Sequence, residues 1–363
     1  MPQQLFMAST PLHILNSVAL ASQVPDSSSC LWLIDQPSVE ENPYFNLIKD
    51  WRDSPFSEVR ISQGHIKGTK AKLANRKRIF AEIDQWVNQY GPEQLFTGND
   101  RRIEFQYAMH CATSRRDTVQ GIYMDEGTFT YVGRKASASF SDSIVDNWLK
   151  KLTYGFWWKN PATIGASEWI TDAYAAFPDL VHPLLAQKKL HPLQPAHADN
   201  PTVRSFCSLL VKHFGAAPQT LSDLNAVLTL PHESIITKLD GYRDAMDSVM
   251  SELLNDGRKI GVKYHPRNTN PDILQAEKRT GAYVIPHRIP FEAILPLLPS
   301  DATIIGDLSS TLINGRWLRP DTNIVSIRNS AAPLADEFEQ FFSEIGVTTV
   351  NVDQILRSTT LSH

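Results

Sequence analysis

Short apolar runs recur along this chain, and nearly every one is followed by a stretch with helical spacing. In the first half the runs fall at 5–9, 30–34, 59–62, 94–98 and 119–124, with helical patterns at 12–22, 44–51, 70–90 and 102–114. A strand that reaches its neighbour through a helix lies parallel to it, because the helix carries the chain back to the starting edge. The alternation therefore predicts a parallel sheet covered by helices. Thr10-Pro11 supplies a start signal for the first helix, an N-cap side chain followed by a proline at the first helical position.

The second half repeats the pattern, with strands at 226–230, 259–263, 282–285, 302–306 and 324–327 and helices at 203–214, 242–254, 271–279, 290–298 and 334–345. Between 160 and 200 the periodicity breaks, and prolines 161, 178, 183, 192, 195 and 201 mark a connection. The expected fold class is α/β, with two Rossmann-like parallel-sheet domains facing across a cleft, the GT-B architecture. Expected boundaries are 1–185, a linker at 186–200, 201–345, and a tail at 346–363. A chain of 363 residues is long enough for two such cores.

Composition narrows the class. The hydrophobic fraction of 42% and charged fraction of 20% are those of a globular protein, and a net charge of −4 argues against a nucleic-acid partner. The three cysteines have no metal-type spacing and fit a reducing compartment. Cys111 and Cys207 fall in apolar helical patterns as core residues. No signal peptide precedes the first strand, and no apolar run approaches the roughly 20 residues needed to span a bilayer. The expected location is cytoplasmic.

Ligands of open α/β sheets bind beyond the carboxyl ends of the strands. The run Lys263-Tyr264-His265-Pro266-Arg267 places three potential cations at such an end, which suits an anion or equally a solvated loop. At another end stands Asp125-Glu126-Gly127, where a partly desolvated carboxylate beside a second acid can act as a base. The same residues can simply turn the chain into a strand at 128–133. Ser309, Ser310 and Thr311 open a helix, where hydroxyls and backbone N–H groups cap the helix or hold phosphate. Glu292 either favours its helix dipole or accepts ribose hydroxyls. Thr10, His13 and Asn16 lie near the first helix start, where capping and packing explain them as well as a ligand does.

Two stretches suggest surfaces. Lys67, Lys70, Lys72, Arg76, Lys77 and Arg78 make a solvated helix face or a contact for anionic glycan or lipid. Residues 148–159 alternate aromatic rings with lysines, a makeup of interfacial membrane helices and of inter-domain packing.

Taken in order, Asp125-Glu126-Gly127, His265-Pro266 and Ser309-Ser310-Thr311 resemble the three short motifs of bacterial sialyltransferases and polysialyltransferases. Lys263-Tyr264-His265-Pro266 is similar to the Lys-Gly-His-Pro of some members, with tyrosine in place of glycine. Pro290-Phe291-Glu292 resembles the ribose-binding Phe-Glu, and the opening Ser9-Thr10-Pro11-Leu12 resembles the Ser-Pro-Leu start of capsule-type members.

The resemblance implies an inverting, metal-independent glycosyltransferase that uses a CMP-activated nonulosonic acid and needs no cofactor. Asp125 would be the general base and His265 the group on the leaving phosphate. Lys263, Pro266, Phe291, Glu292, Ser309, Ser310 and Thr311 would bind the donor. Thr10, His13, Asn99 and Glu126 would face a glycan or glycolipid acceptor, with Arg101, Arg102 or Arg267 pairing with the sugar carboxylate. The first domain would then carry the acceptor and the second the donor, and the stretch 148–159 offers a peripheral contact with the inner face of the cytoplasmic membrane. Competing readings are a UDP-sugar 2-epimerase of the same architecture and a non-catalytic glycan-binding protein.

Overall fold

The computed structural model describes residues 3–25, 27–133, 155–193, 195–307, 309–328 and 335–351. The chain divides into two units, Met1–Gln194 and Pro195–His363. The first contains β1 (Gln3–Ala8), β2 (Ser28–Gln36), β3 (Glu58–Gln63), β4 (Gln94–Thr97), β5 (Gln120–Met124), β6 (Asp172–Ala175) and β7 (Lys189–Pro192). These pair in parallel in the order β3-β2-β1-β4-β5-β6-β7. The second contains β8 (Ala226–Thr229), β9 (Ile260–Lys263), β10 (Ala282–Ile285), β11 (Thr303–Gly306), β12 (Asn323–Arg328) and β13 (Thr348–Asn351), also all parallel, in the order β10-β9-β8-β11-β12-β13. Both follow the doubly wound order, whose winding reverses beside the first strand of each sheet.

The central strands form because their residues have no solvated face. Leu5 to Ala8 in β1 and Ala226 to Leu228 in β8 are buried, as parallel sheets covered on both sides require. Phe6 stacks on Phe96 of the neighbouring strand at 4.2 Å between ring centroids. The helix Pro11–Ser22 starts as its sequence predicts, with the Thr10 hydroxyl accepting a hydrogen bond from the His13 N–H at 3.3 Å. Cys111 and Cys207 are buried in the helices Ile103–Thr113 and Pro201–His213.

Four expectations need correction. The stretch 160–200 is not a bare connection, since β6 and β7 lie within it and extend the first sheet. Neither strand carries an uninterrupted apolar run, and Pro192 is tolerated because β7 is an edge. Part of the expected tail is β13, the opposite sheet's edge strand. Around 271–279 there is only the short 3-10 turn Ala276–Lys278. Residues Thr128–Tyr131 form a helical turn, not a strand, after Gly127 at φ 95°.

Asp100, at the β4 end, fastens the segment that leads into β6. Its buried carboxylate accepts hydrogen bonds from the Gly165 and Ser167 amides, each at 2.8 Å. Gln106, on the helix Ile103–Thr113, holds the same segment through the Lys159 amide and carbonyl. Asp100→Ala strands two buried donors and is expected to lower stability by about 2–4 kcal/mol, read from urea unfolding of the purified protein.

Candidate active site

At the carboxyl end of the first sheet, Asp125 is the organising residue. Oδ1 accepts hydrogen bonds from the Gly127 amide and the Thr130 hydroxyl, both at 2.7 Å. Oδ2 accepts from the Ala176 amide at 2.9 Å and from the Tyr131 hydroxyl. The Asp125 amide donates to the Tyr174 carbonyl, and its own carbonyl accepts from Asn16 Nδ2 at 3.0 Å. One carboxylate thereby shapes the glycine turn, the helical turn after it, and the end of β6. Burial pushes the Asp125 carboxyl above the usual aspartate range, and the four donors oppose that shift.

Glu126 points elsewhere. Its carboxylate is half-buried and lies 3.8 Å from Nε2 of His13. His13 is buried, and its Nδ1 faces the Ser9 amide at 3.4 Å, so the ring proton belongs on Nε2 toward Glu126. A side chain at position 98 would overlap that ring, because a Cβ on Gly98 would stand 2.1 Å from Nε2. Burial, reinforced by Arg102, pulls the His13 imidazole down to about 3.

The other expected acceptor residues are engaged locally. Thr10 is exposed and caps its helix. Asn99 Oδ1 accepts from the Arg101 amide at 3.0 Å in a tight turn. Arg101 reaches Asn160, and Arg102 is ion-paired with Asp35.

In the second domain the expected donor residues gather at the carboxyl ends of β9 and β11 and on the helices after β10 and β11. His265 is half-buried, and its Nδ1 accepts from the Arg267 amide at 3.2 Å, leaving Nε2 as the donor. Desolvation first, then the charges of His232, Arg267 and Lys263, hold the His265 imidazole below its ordinary value. Lys263 is buried and donates to the backbone carbonyls of His287 at 3.0 Å and Tyr264 at 3.3 Å. Burial draws its ammonium down to about 8, with Glu292 opposing. Glu292 accepts from Asn314 Nδ2 at 2.8 Å, which joins the turn Phe291–Ile294 to the helix Ser310–Leu318. Burial raises the Glu292 carboxyl.

Ser309 is the extended residue before that helix, and its hydroxyl bonds to Thr311 Oγ1 without capping a backbone amide. Ser310 and Thr311 begin the helix, Phe291 is buried beneath it in the core, and Pro266 and Arg267 are exposed at the turn. Tyr264, the departure from the family pattern, is buried, and its hydroxyl donates to Asp272 Oδ1 at 2.6 Å. Its ring therefore fills the core while its neighbours Lys263 and His265 serve the strand end. Sequence reasoning missed Thr130, Tyr131 and Asp307. The first two lay in a stretch read as a strand, and burial pushes Asp307 up to about 6 beside Ser309. Among the described residues no group of His, Cys, Asp and Glu side chains gathers as a metal site.

The family model for alpha-2,8-polysialyltransferase (POLYST) matches residues 4–328. No curated protein matches the chain in sequence. An alpha/beta-galactoside alpha-2,3-sialyltransferase from Photobacterium phosphoreum superposes with a TM-score of 0.59 at 11% identity, covering 97% of this chain and 99% of that one. A Photobacterium 2,6-sialyltransferase solved with CMP and lactose gives 0.55 at 12% identity, covering 96% and 78%. The UDP-GlcNAc 2-epimerase of Methanocaldococcus jannaschii gives 0.54 at 9% identity, covering 99% and 92%. The fold is GT-B, and with the family match the protein is a sialyl-transferring glycosyltransferase. The chain belongs to the alpha-2,8-polysialyltransferase family.

Because unfolded His13 takes a proton near 6.5 and folded His13 only near 3, the unfolded state binds more protons between those values. Stability is therefore full above about 6.5 and falls with pH below it, by up to about 1.4 kcal/mol per pH unit. His13→Gln should remove that share of the slope, measured as the difference between the two proteins' urea unfolding curves from pH 7 to 4.

Proposed function

We propose that this glycosyltransferase is inverting and metal-independent, and moves a sialic-acid-like nonulosonic acid from CMP to a hydroxyl of a surface glycan such as lipopolysaccharide or capsule. The observation that carries this reading is the pairing of a proton-bearing His265 Nε2 with an uncapped helix start at Ser309–Thr311 on the same sheet edge. Such donors neutralise a phosphate as it leaves, the task a cation performs elsewhere.

In this reading the acceptor hydroxyl attacks the anomeric carbon while a base of the acidic pair takes its proton. The bond from that carbon to the CMP oxygen breaks, and His265 protonates or hydrogen-bonds the departing phosphate. Asp125 is the proposed base, since burial raises its basicity. It must release one of its four donors to do so. Glu126 is the second reading, because its carboxylate stands at the same strand end, 3.8 Å from His13 Nε2. Ser309, Ser310 and Thr311 hold the phosphate, Glu292 accepts the ribose hydroxyls, and Phe291 and Pro266 set the shape around them. Lys263 orients the 287 backbone and offsets Glu292. Thr10, His13, Asn99 and Glu126 line the acceptor side. The fold shared with UDP-sugar epimerases is compatible with other nucleotide sugars, and the family match selects sialyl transfer.

Incubation with CMP-Neu5Ac, CMP-legionaminate, CMP-pseudaminate, CMP-Kdo and UDP-GlcNAc tests the donor class by which nucleotide is released. CMP is expected, and release of UDP alone overturns the proposal. Asp125→Asn and His265→Ala should each lower turnover by about 10²-fold or more, His265→Ala with an unchanged thermal midpoint and Asp125→Asn with a lowered one, since its amide nitrogen faces two of the four donors. If Glu126→Gln is the dead variant and Asp125→Asn is active, the base is Glu126. The kcat/KM should rise with pH through a value above the ordinary aspartate range as the base loses its proton, and then hold, because the neutral His265 ring keeps its Nε2 proton.

We further propose a peripheral contact with the inner face of the cytoplasmic membrane. Of the aromatic stretch 148–159, residues 148–154 lie outside the described residues, and Phe156 is 78% exposed. Trp157 stands against Phe80, Tyr107 and His110 of its own domain, and Trp158 is buried. Exposed Lys67, Lys70, Lys72 and Lys77 lie on and just before the helix Thr69–Tyr90, whose residue Phe80 meets Trp157. Among the described residues no helix is long and apolar enough to cross a membrane. Phe156→Asp should lower co-sedimentation with phosphatidylserine vesicles, and equal binding by both proteins overturns the contact.

A further inference from the structure

We infer that His232 is a second imidazole donor to the phosphate of the nucleotide donor, placed between His265 and the helix start at Ser309. This rests on the function proposed above. The sheet order puts β8 between β9 and β11, so anything bridging His265 and Ser309 passes over the end of β8. Register fixes the level of the three ends. Thr229 of β8 is opposite Lys263 of β9, and Leu228 is opposite Ile305 of β11. His232 follows Thr229 by three positions, His265 follows Lys263 by two, and Ser309 follows Gly306 by three.

The two imidazoles are built alike. His232 Nδ1 accepts from the Ser234 amide at 3.2 Å, as His265 Nδ1 accepts from the Arg267 amide at 3.2 Å. In both rings the backbone amide two residues ahead occupies Nδ1, so the remaining proton sits on Nε2. The rings meet edge to face with centroids 5.4 Å apart and planes at 76°. Both are half-buried.

Their relative placement is fixed by Glu233. Its amide donates to Asn268 Oδ1 at 3.1 Å, and its carboxylate accepts from the Thr269 amide and hydroxyl and the Asn270 amide. These bonds hold the carboxylate down to about 2, so the clamp between the β8 and β9 ends persists through neutral and mildly acidic pH. The charged groups beside the pair are Lys263 and Arg267 at His265 and Glu233 at His232. The ammonium of Lys263 is turned to backbone carbonyls, which leaves the phosphate to the imidazoles and the helix.

His232 also caps the helical turn Glu233–Lys238, so the test must separate capping from phosphate binding. In H232N the amide oxygen can still cap while nothing reaches the Nε2 position, and in H232Q the amide nitrogen reaches it while the cap is weakened. CMP affinity by calorimetry and thermal midpoint are measured for both variants and the wild type. H232N should bind CMP about tenfold more weakly at an unchanged midpoint, the loss of one hydrogen bond, and H232Q should recover most of the affinity. Unchanged CMP affinity in H232N, against a wild type that binds, overturns this inference alone. A parallel loss of midpoint and affinity with no recovery in H232Q assigns His232 to capping and overturns it as well. A wild type that does not bind CMP overturns the proposed function and this inference together.

Discussion

Every strand pairing in both sheets is parallel, and that single constraint determines where chemistry can occur. A parallel sheet needs a return crossover after each strand, so all its strand ends of one kind lie along one edge. The backbone there leaves the ladder and is free to form turns around a ligand. Asp125, Glu126 and Asn99 stand on that edge in the first domain, and His232, His265 and Ser309 on that edge in the second. None of these residues is near another in sequence within its domain except the acidic pair, and the strand order alone gathers them.

Within each edge, the same economy recurs: a side chain folds the loop that presents its neighbour. Asp125 closes the turn that exposes Glu126. Glu233 ties the 268–270 loop beside the two histidines. Asn314 holds Glu292, and Lys263 holds the 287 backbone. The groups with the most hydrogen bonds thus fix the loops, and Asp125, the proposed base, is itself one of them. Buried polar groups satisfied in this way keep a loop in one conformation, which a reaction with a charged leaving group requires.

The motifs at 125–127, 263–266, 290–292 and 309–311 were legible because each couples a turn or helix start with a polar residue at a strand end. The strands of the two cores were legible because burial on both faces leaves an uninterrupted apolar run. The strands β7 and β13 were not, because an edge strand packs against one neighbour and needs no uninterrupted apolar run, and β6 was hidden within the proline-rich stretch. The turn at Thr128–Tyr131 was misread for a similar reason. Its β-branched and aromatic residues favour a strand, but hydrogen bonds from Thr130 and Tyr131 to Asp125 fix a helical turn.

By itself the sequence determined the fold class, the parallel direction of the strands and which short motifs carry polar chemistry, because periodicity and turn chemistry are local properties. Tertiary structure alone decided what each polar residue does. Order within the motif pointed to Asp125 as the base, and only packing buried it among four donors and set Glu126 beside His13. Lysine at 263 read as a charge for a ligand until its ammonium was found on backbone carbonyls. His232 belongs to none of the motifs, and the central position of β8 places it against His265. Burial and partner geometry depend on contacts between residues distant in the chain, which no local pattern encodes.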